Sequence, residues 1–170
     1  NNLVFITSDK CYRNMEWRRS YVESDILFGV DPYSASKSCA EIIFNSYEKN
    51  YFSNSKYLTY ASARAGNVIG GGDMKKDRII PDVIKSLNNN NNIILRNPHS
   101  IRPWQHVLEP LYGYLLLGSK LMNCKLKSSL IPNWNFGPNI ENCKEVKKIA
   151  ILLKKKWGTN KSSITISSSN

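Results

Sequence analysis

The chain alternates short apolar runs with longer stretches in which apolar residues recur every three or four positions. Asn2 to Thr7 (NLVFIT) runs apolar without alternation, the pattern of a strand covered on both faces, as in a parallel sheet. DPYSASKSCAEIIFNSYEKNYF follows, with Asp31 as N-cap, Pro32 at the first helical position and apolar residues at Cys39, Ile42, Ile43 and Tyr47, which predicts a helix. A second strand is expected over Tyr57 to Ala63, leading into the Gly-rich turn GNVIGGGD. Ile79 to Leu87 predicts a short helix, stopped by the asparagine run 88–92, a low-complexity loop tip with no assigned chemistry. A strand over Ile93 to Arg96, a helix over Leu108 to Met122, a strand over Trp134 to Phe136 and a helix over Glu145 to Trp157 complete the pattern. The Ser-rich end KSSITISSSN reads as a frayed tail. Strands separated by helices imply βαβ units, hence an α/β chain built on a parallel sheet.

Composition narrows the function classes. At 170 residues and 41% hydrophobic, the chain has the size and apolar content to bury one real core. No apolar run is long enough to span a bilayer, and Leu111 to Gly118, the most apolar window, reads as buried helix, so no membrane partner is expected. Cys11, Cys39, Cys124 and Cys143 stand without a C-x-x-C pair, which argues for free thiols in a reducing cytoplasm and against a metal or disulfide framework. The formal charge of +11 is concentrated late, in VKKIAILLKKKW. There Val146, Ile149, Ala150, Leu153 and Trp157 share one helix face and leave the lysines mostly in water. No aromatic and basic residues interleave on one face, so nucleic acid is not an expected partner.

Two short stretches carry candidate chemistry. In TSDKCY, Ser8 ends the first predicted strand and Asp9 stands beside Lys10. The pair reads either as a solvated ion pair or as an acid and a base; a lysine serves as base only if burial or a cationic neighbour depresses its pKa. In YSASK, Tyr33 and Lys37 are four residues apart and share a helix face. The lysine charge and the positive end of the helix both favour the phenolate, so a group that ordinarily titrates near ~10 can act as a base. Y-x-x-x-K alone is a weak signal that also fits a helix surface pair. Ser8, 25 residues upstream at a strand carboxyl end, strengthens it, because ligands of open α/β sheets sit at that edge.

With these motifs in order the chain resembles the extended short-chain dehydrogenase/reductase family, without a break to about Gly158. TSDKCY, DPYSASKSCAE, SARAGNVIGGGD, DRIIPD, LRNPHSIRPWQHVLEPLYGYLLL and WNFGP carry the resemblance. The closest likeness within the family is to sugar-nucleotide 4,6-dehydratases. Lysine at position 10, where most of these have glutamate, points to the branch that acts on CDP-D-glucose. The resemblance implies NAD as cofactor and CDP-4-dehydro-6-deoxy-D-glucose as product, for deoxysugar supply to surface polysaccharide. It implies catalytic roles for Ser8, Asp9, Lys10, Tyr33 and Lys37. Tyr33, Lys37, Ala65 and Gly66 would contact the cofactor, and Asn67, Arg78, Arg102 and Asn135 the sugar nucleotide. His106 is open between a packed histidine and a substrate contact, and His99 reads as loop. Family members often pair through the helix carrying Tyr33, so a homodimer is expected of the full-length enzyme.

The resemblance also sets the organisation. Residues 1–68 match the later half of the NAD-binding Rossmann-type domain, a doubly wound parallel sheet. Residues 69–106 match a segment of a small mixed substrate domain, 107–137 a return to the sheet, and 138–170 a partial C-terminal substrate-domain segment with the frayed tail. The G-x-G-x-x-G that takes a dinucleotide pyrophosphate after a first strand has no counterpart, since GNVIGGGD has other spacing and another place. The expectation is therefore a fragment of a 4,6-dehydratase. The alternatives are an epimerase or a dehydratase acting on another nucleotide, or a non-catalytic remnant.

Overall fold

In the computed structural model, which describes residues 1–17, 19–123 and 132–167, the first elements are β1 (Asn2–Ser8), α1 (Pro32–Tyr47), β2 (Thr59–Ala65), β3 (Val68–Ile69) and α2 (Ile79–Asn88). They are followed by β4 (Ile93–Leu95), β5 (Ile101–Pro103), β6 (Gln105–His106) and α3 (Leu108–Asn123). β7 (Asn133–Phe136), β8 (Cys143–Glu145), α4 (Val146–Trp157) and β9 (Ile164–Ile166) complete the order. The chain divides into two compact units, Asn1–Gly66 with Gln105–Gly137, and Asn67–Trp104 with Pro138–Asn170.

The first unit is a three-stranded parallel sheet in the order β1-β2-β7 with a helix on each face. Strand alternation assigns the faces. Val4, Ala61, Ala63 and Trp134 point to α3, where they pack with Leu117 and Leu121 into an apolar cluster. Small alanines let the helix lie close, and each fully buried leucine there contributes about 1.5–3 kcal/mol. Gly113 extends the close approach: a Cβ on it would come within 2.3 Å of the Phe136 ring.

The opposite face is polar. Thr7, Ser62 and Arg64 point toward α1, and Phe5 and Tyr60 pack their rings on Phe44 (centroids 5.4 and 6.3 Å). α1 therefore buries Ser34, Ser38, Glu41 and Phe44, while the apolar residues that mark it as a helix, Cys39, Ile42, Ile43 and Tyr47, face outward. The start of α1 follows the expected chemistry. Asp31 Oδ1 accepts the amides of Tyr33 and Ser34 (3.0 and 3.1 Å), and Pro32 opens the first turn.

In the second unit Val83, Leu87, Ile93, Leu95 and Ala150 form the core, with Val146, Leu153 and Ile164 packed against it. The tail corrects an expectation. Residues 164–166 are not frayed but pair in parallel with β4, in register Ile93 to Ile164 and Leu95 to Ile166. The asparagine run supports them: Asn90 Oδ1 accepts the Lys161 amide and Asn92 Oδ1 the Ser163 hydroxyl. Short polar side chains that bond to backbone held this pairing together in a stretch whose composition suggests a loose end. β5 and β8 form an antiparallel pair that includes Arg102.

Among the described residues no helix is long and apolar enough to cross a membrane, and no three metal-ligating side chains come together. Cys11, Cys39 and Cys143 are free thiols. Cys124, also expected to be free, lies outside the described residues.

Candidate active site

The carboxyl ends of the three parallel strands in the first unit lie side by side, with Ser8 opposite Ala65 and Ala65 opposite Phe136. This is the edge at which open α/β sheets take ligands. Beyond it, β1 turns directly into a single 3-10 turn, Asp9–Cys11, which packs against α1. Ser8 caps that turn: its Oγ accepts the Lys10 amide at 3.3 Å and donates to Asp9 Oδ1 at 3.1 Å. Serine and aspartate thus stand hydrogen-bonded to each other, both half-buried, with Lys10 half-buried next to them.

Two contacts fix the turn to the helix. The Ser38 hydroxyl donates to the Cys11 carbonyl at 2.8 Å. The Phe28 amide donates to the same carbonyl at 2.9 Å and brings the preceding loop alongside. Gly29 in that loop runs so close to the first turn of α1 that a Cβ would meet the Ala35 nitrogen at 2.0 Å. Cys11 is fully buried, and burial pushes its thiol up to about 12 from an ordinary 9.0, so it is an inert packing group.

Tyr33 stands in the first turn of α1 with its side chain open to solvent, 56% exposed. The Lys37 ammonium lies over its ring, 5.5 Å from the centroid, and makes no ion pair among the described residues. The pair sets a cation over the face of an exposed phenol ring. Beside this helix the sheet edge offers Ala65, buried, and Gly66, without a side chain. Small residues there leave the backbone open to close approach by a flat ring. An exposed phenol with an ammonium over its ring on α1, and a sheet edge free of bulky side chains at Ala65 and Gly66, are each compatible with a nicotinamide nucleoside.

The four residues expected at a sugar nucleotide are divided between the units. Asn67, Arg78 and Arg102 belong to the second. Arg78 is exposed and pairs with Asp73 at 3.0 Å; Arg102 is half-buried in β5, between exposed Ile101 and buried Trp104. Asn135, in the first unit, spends its side chain internally, its Oδ1 accepting from Tyr12 and its Nδ2 donating to the Tyr21 carbonyl. His106 is exposed and its Nδ1 accepts the Leu108 amide at 3.3 Å, while His99 lies 3.8 Å from Glu145.

Beneath the strand ends lies a buried cluster that pattern reading passes over. Glu41 and Arg64 form an ion pair at 2.6 Å, 0% and 1% exposed. Burial alone weighs against the Arg64 charge, but its bonds with Glu41 and Tyr12 outweigh this and raise its pKa further. Burial also raises the Tyr12 phenol, with Arg64 pulling against it. A charged residue near the end of an otherwise uncharged strand, TYASARA, was the available signal, since such a charge must find a partner when buried.

Three comparisons with known proteins bear on the site. The family described as "NAD dependent epimerase/dehydratase family" matches residues 1–121. CDP-glucose 4,6-dehydratase of Salmonella typhimurium is 48% identical over 164 residues, which cover 94% of this chain and 45% of that enzyme. The chain therefore spans about half the length of the curated relative it matches. Among solved structures, UDP-glucuronic acid 4-epimerase from Bacillus cereus, in complex with UDP-glucuronic acid and NAD, superposes with a TM-score of 0.80 at 15% identity. The match covers 99% of this chain and 49% of that one. dTDP-glucose 4,6-dehydratase from Bacillus anthracis, in complex with NAD, gives 0.76 at 20% identity, covering 99% and 50%. At these identities the two structures establish the shared α/β fold.

Proposed function

The chain belongs to the NAD dependent epimerase/dehydratase family, and from that footing we propose that the protein is a sugar-nucleotide 4,6-dehydratase converting CDP-D-glucose to CDP-4-dehydro-6-deoxy-D-glucose and water. One observation carries the reading: the turn that carries Ser8, Asp9 and Lys10 is packed on the helix that bears Tyr33 in its first turn and Lys37 one turn on. An acid, a base and a hydroxyl on one sheet edge are what an oxidation followed by an elimination needs. The 48% identity to CDP-glucose 4,6-dehydratase over nearly all of the chain supports the choice of substrate.

Tyr33, Lys37, Ala65 and Gly66 would hold NAD+, which would supply a transient acceptor for the C4 hydride and give it back at C6 once water has left. Tyr33 takes the proton of the sugar 4-hydroxyl, and the Ser8 hydroxyl turns from Asp9 to donate to the same oxygen. Lys37, whose ammonium lies over the Tyr33 ring, would hold the nicotinamide ribose. A ketone at C4 acidifies the C5 proton, so water can leave across C5 and C6. Asp9 serves as the acid toward the departing 6-hydroxyl. Lys10 takes the C5 proton or sets the charge beside the group that does. Asn67, Arg78 and Arg102 hold the sugar nucleotide, the arginines by charge-assisted bonds to the diphosphate. Asn135, committed to Tyr12 and Tyr21, acts from beneath the site.

The outward apolar stripe of α1, Ile42, Ile43 and Tyr47, supports a homodimer through this helix. Free thiols at Cys11, Cys39 and Cys143 suit a reducing compartment, and the cytoplasm is the proposed place of work.

The test is product analysis of the purified protein with CDP-D-glucose and NAD+. The reading expects a product lighter by one water. A product of unchanged mass, inverted at C4, would assign the protein to the epimerases instead.

A further inference from the structure

The ion pair beneath the strand ends ties together every element that carries a proposed catalytic group. Glu41, on α1, accepts from Thr7 of β1, from Ser62 of β2 at 3.0 Å and from Arg64 Nη2 of β2 at 2.6 Å. Arg64 Nη1 donates to the Tyr12 hydroxyl at 2.7 Å, which donates in turn to Asn135 Oδ1 of β7 at 2.8 Å. Thr7, Arg64 and Asn135 each stand one residue before the residue at the open edge: Ser8, Ala65 and Phe136. Glu41 is four residues beyond Lys37 and eight beyond Tyr33, so it grips the same helix two turns below the phenol.

The arrangement is costly as a stabilising device. Both charges are removed from water, and Arg64 Nε is buried without a hydrogen-bond partner. An apolar pair of similar volume would fill this space without a desolvation cost. An apolar pair would not, however, fix the height of α1 against three strand ends, because only directional bonds do that.

We infer that Glu41 and Arg64 are positioning residues that set Tyr33 and Lys37 against Ser8 and Asp9. The inference rests on the proposed dehydratase reading for its kinetic consequence, though not for its structural one. Misplacing a reacting group by about 1 Å costs on the order of a hundredfold in rate. Loss of the pair therefore lowers kcat about that much while KM for the sugar nucleotide, held by other residues, changes little.

The experiment compares the parent protein with Glu41→Gln and with the double variant Glu41→Leu/Arg64→Met, which replaces both charges by apolar groups and leaves neither one orphaned. Thermal midpoint, kcat, KM and amide hydrogen exchange are measured for each. The expected result is a double variant with a midpoint near the parent's, kcat about a hundredfold lower, and faster exchange confined to Asp9–Tyr12 and the first turn of α1. Recovery of parental kcat by the double variant, or exchange there equal to the parent's, overturns the inference and leaves the pair a purely structural one. A double variant that does not fold overturns it as well if folded Glu41→Gln keeps parental kcat and exchange. If the parent itself does not act on CDP-D-glucose, the dehydratase reading fails, and the exchange pattern alone still decides the positioning role.

Discussion

The Ser38 hydroxyl donates to the Cys11 carbonyl across 2.8 Å in a buried contact, joining the helix that carries Tyr33 to the turn that carries Asp9 and Lys10. Removing it by Ser38→Ala costs about 0.5–1.5 kcal/mol of stability, the net worth of an internal hydrogen bond. Urea unfolding measures that loss. The same variant lowers turnover more than substrate affinity, because it loosens two halves of one site.

Tyr33→Phe and Asp9→Asn separate the two stages of the proposed reaction. Removing the Tyr33 hydroxyl stops the initial oxidation, so no reduced nicotinamide forms, with a rate loss of about 10²–10⁴-fold. Asp9→Asn leaves the oxidation but not the loss of water, so reduced nicotinamide accumulates after mixing. Rapid-mixing absorbance distinguishes these, and normal turnover by Asp9→Asn would remove the acid role.

The cap of α1 makes a pH prediction. The Ser34 hydroxyl, then the Ser34 and Tyr33 amides, hold the Asp31 carboxyl below its ordinary 3.8. A carboxyl depressed by folding contributes stability above its unfolded pKa and loses it as pH falls through the folded one. The thermal midpoint of Asp31→Ala therefore lies below the parent's at neutral pH, and the gap closes on acidification below about pH 4. An unchanged gap at low pH would mean that the cap does not act through its charge.

Thiol chemistry separates buried from open cysteines. Burial raises Cys11 to about 12, so its thiolate is scarce and enclosed, whereas Cys39 is exposed on α1. In the native protein at about pH 8, alkylation followed by peptide mapping labels Cys39 and spares Cys11 until denaturant is added. Because the folded pKa of Cys11 is raised, its contribution to stability is complete below 9.0 and declines as pH climbs toward about 12.

Much of this was legible in the residues. The apolar run of β1, the Asp31–Pro32 helix start and the strand–helix alternation are local signals, and the parallel sheet follows from them. The family description and the 48% identical relative agree with the resemblance carried by TSDKCY and YSASK. What pattern could not supply was the inward face of α1. Apolar periodicity marks Ile42, Ile43 and Tyr47, yet the sheet beneath is polar at Thr7, Ser62 and Arg64, so Ser34, Ser38 and Glu41 turn inward. The choice depends on what lies across the interface, which one strand's sequence does not contain. β9 was hidden for a related reason. Its partner is 71 residues away, and only the alternation in ITI hinted that a Ser-rich tail would pair.

The most direct measurement follows deuterium placed at C4 of CDP-D-glucose. The account predicts a product one water lighter with the deuterium at C6, moved within the same molecule, and no deuterium lost to solvent. A product of full mass inverted at C4, or a dehydrated product without the label at C6, would contradict it.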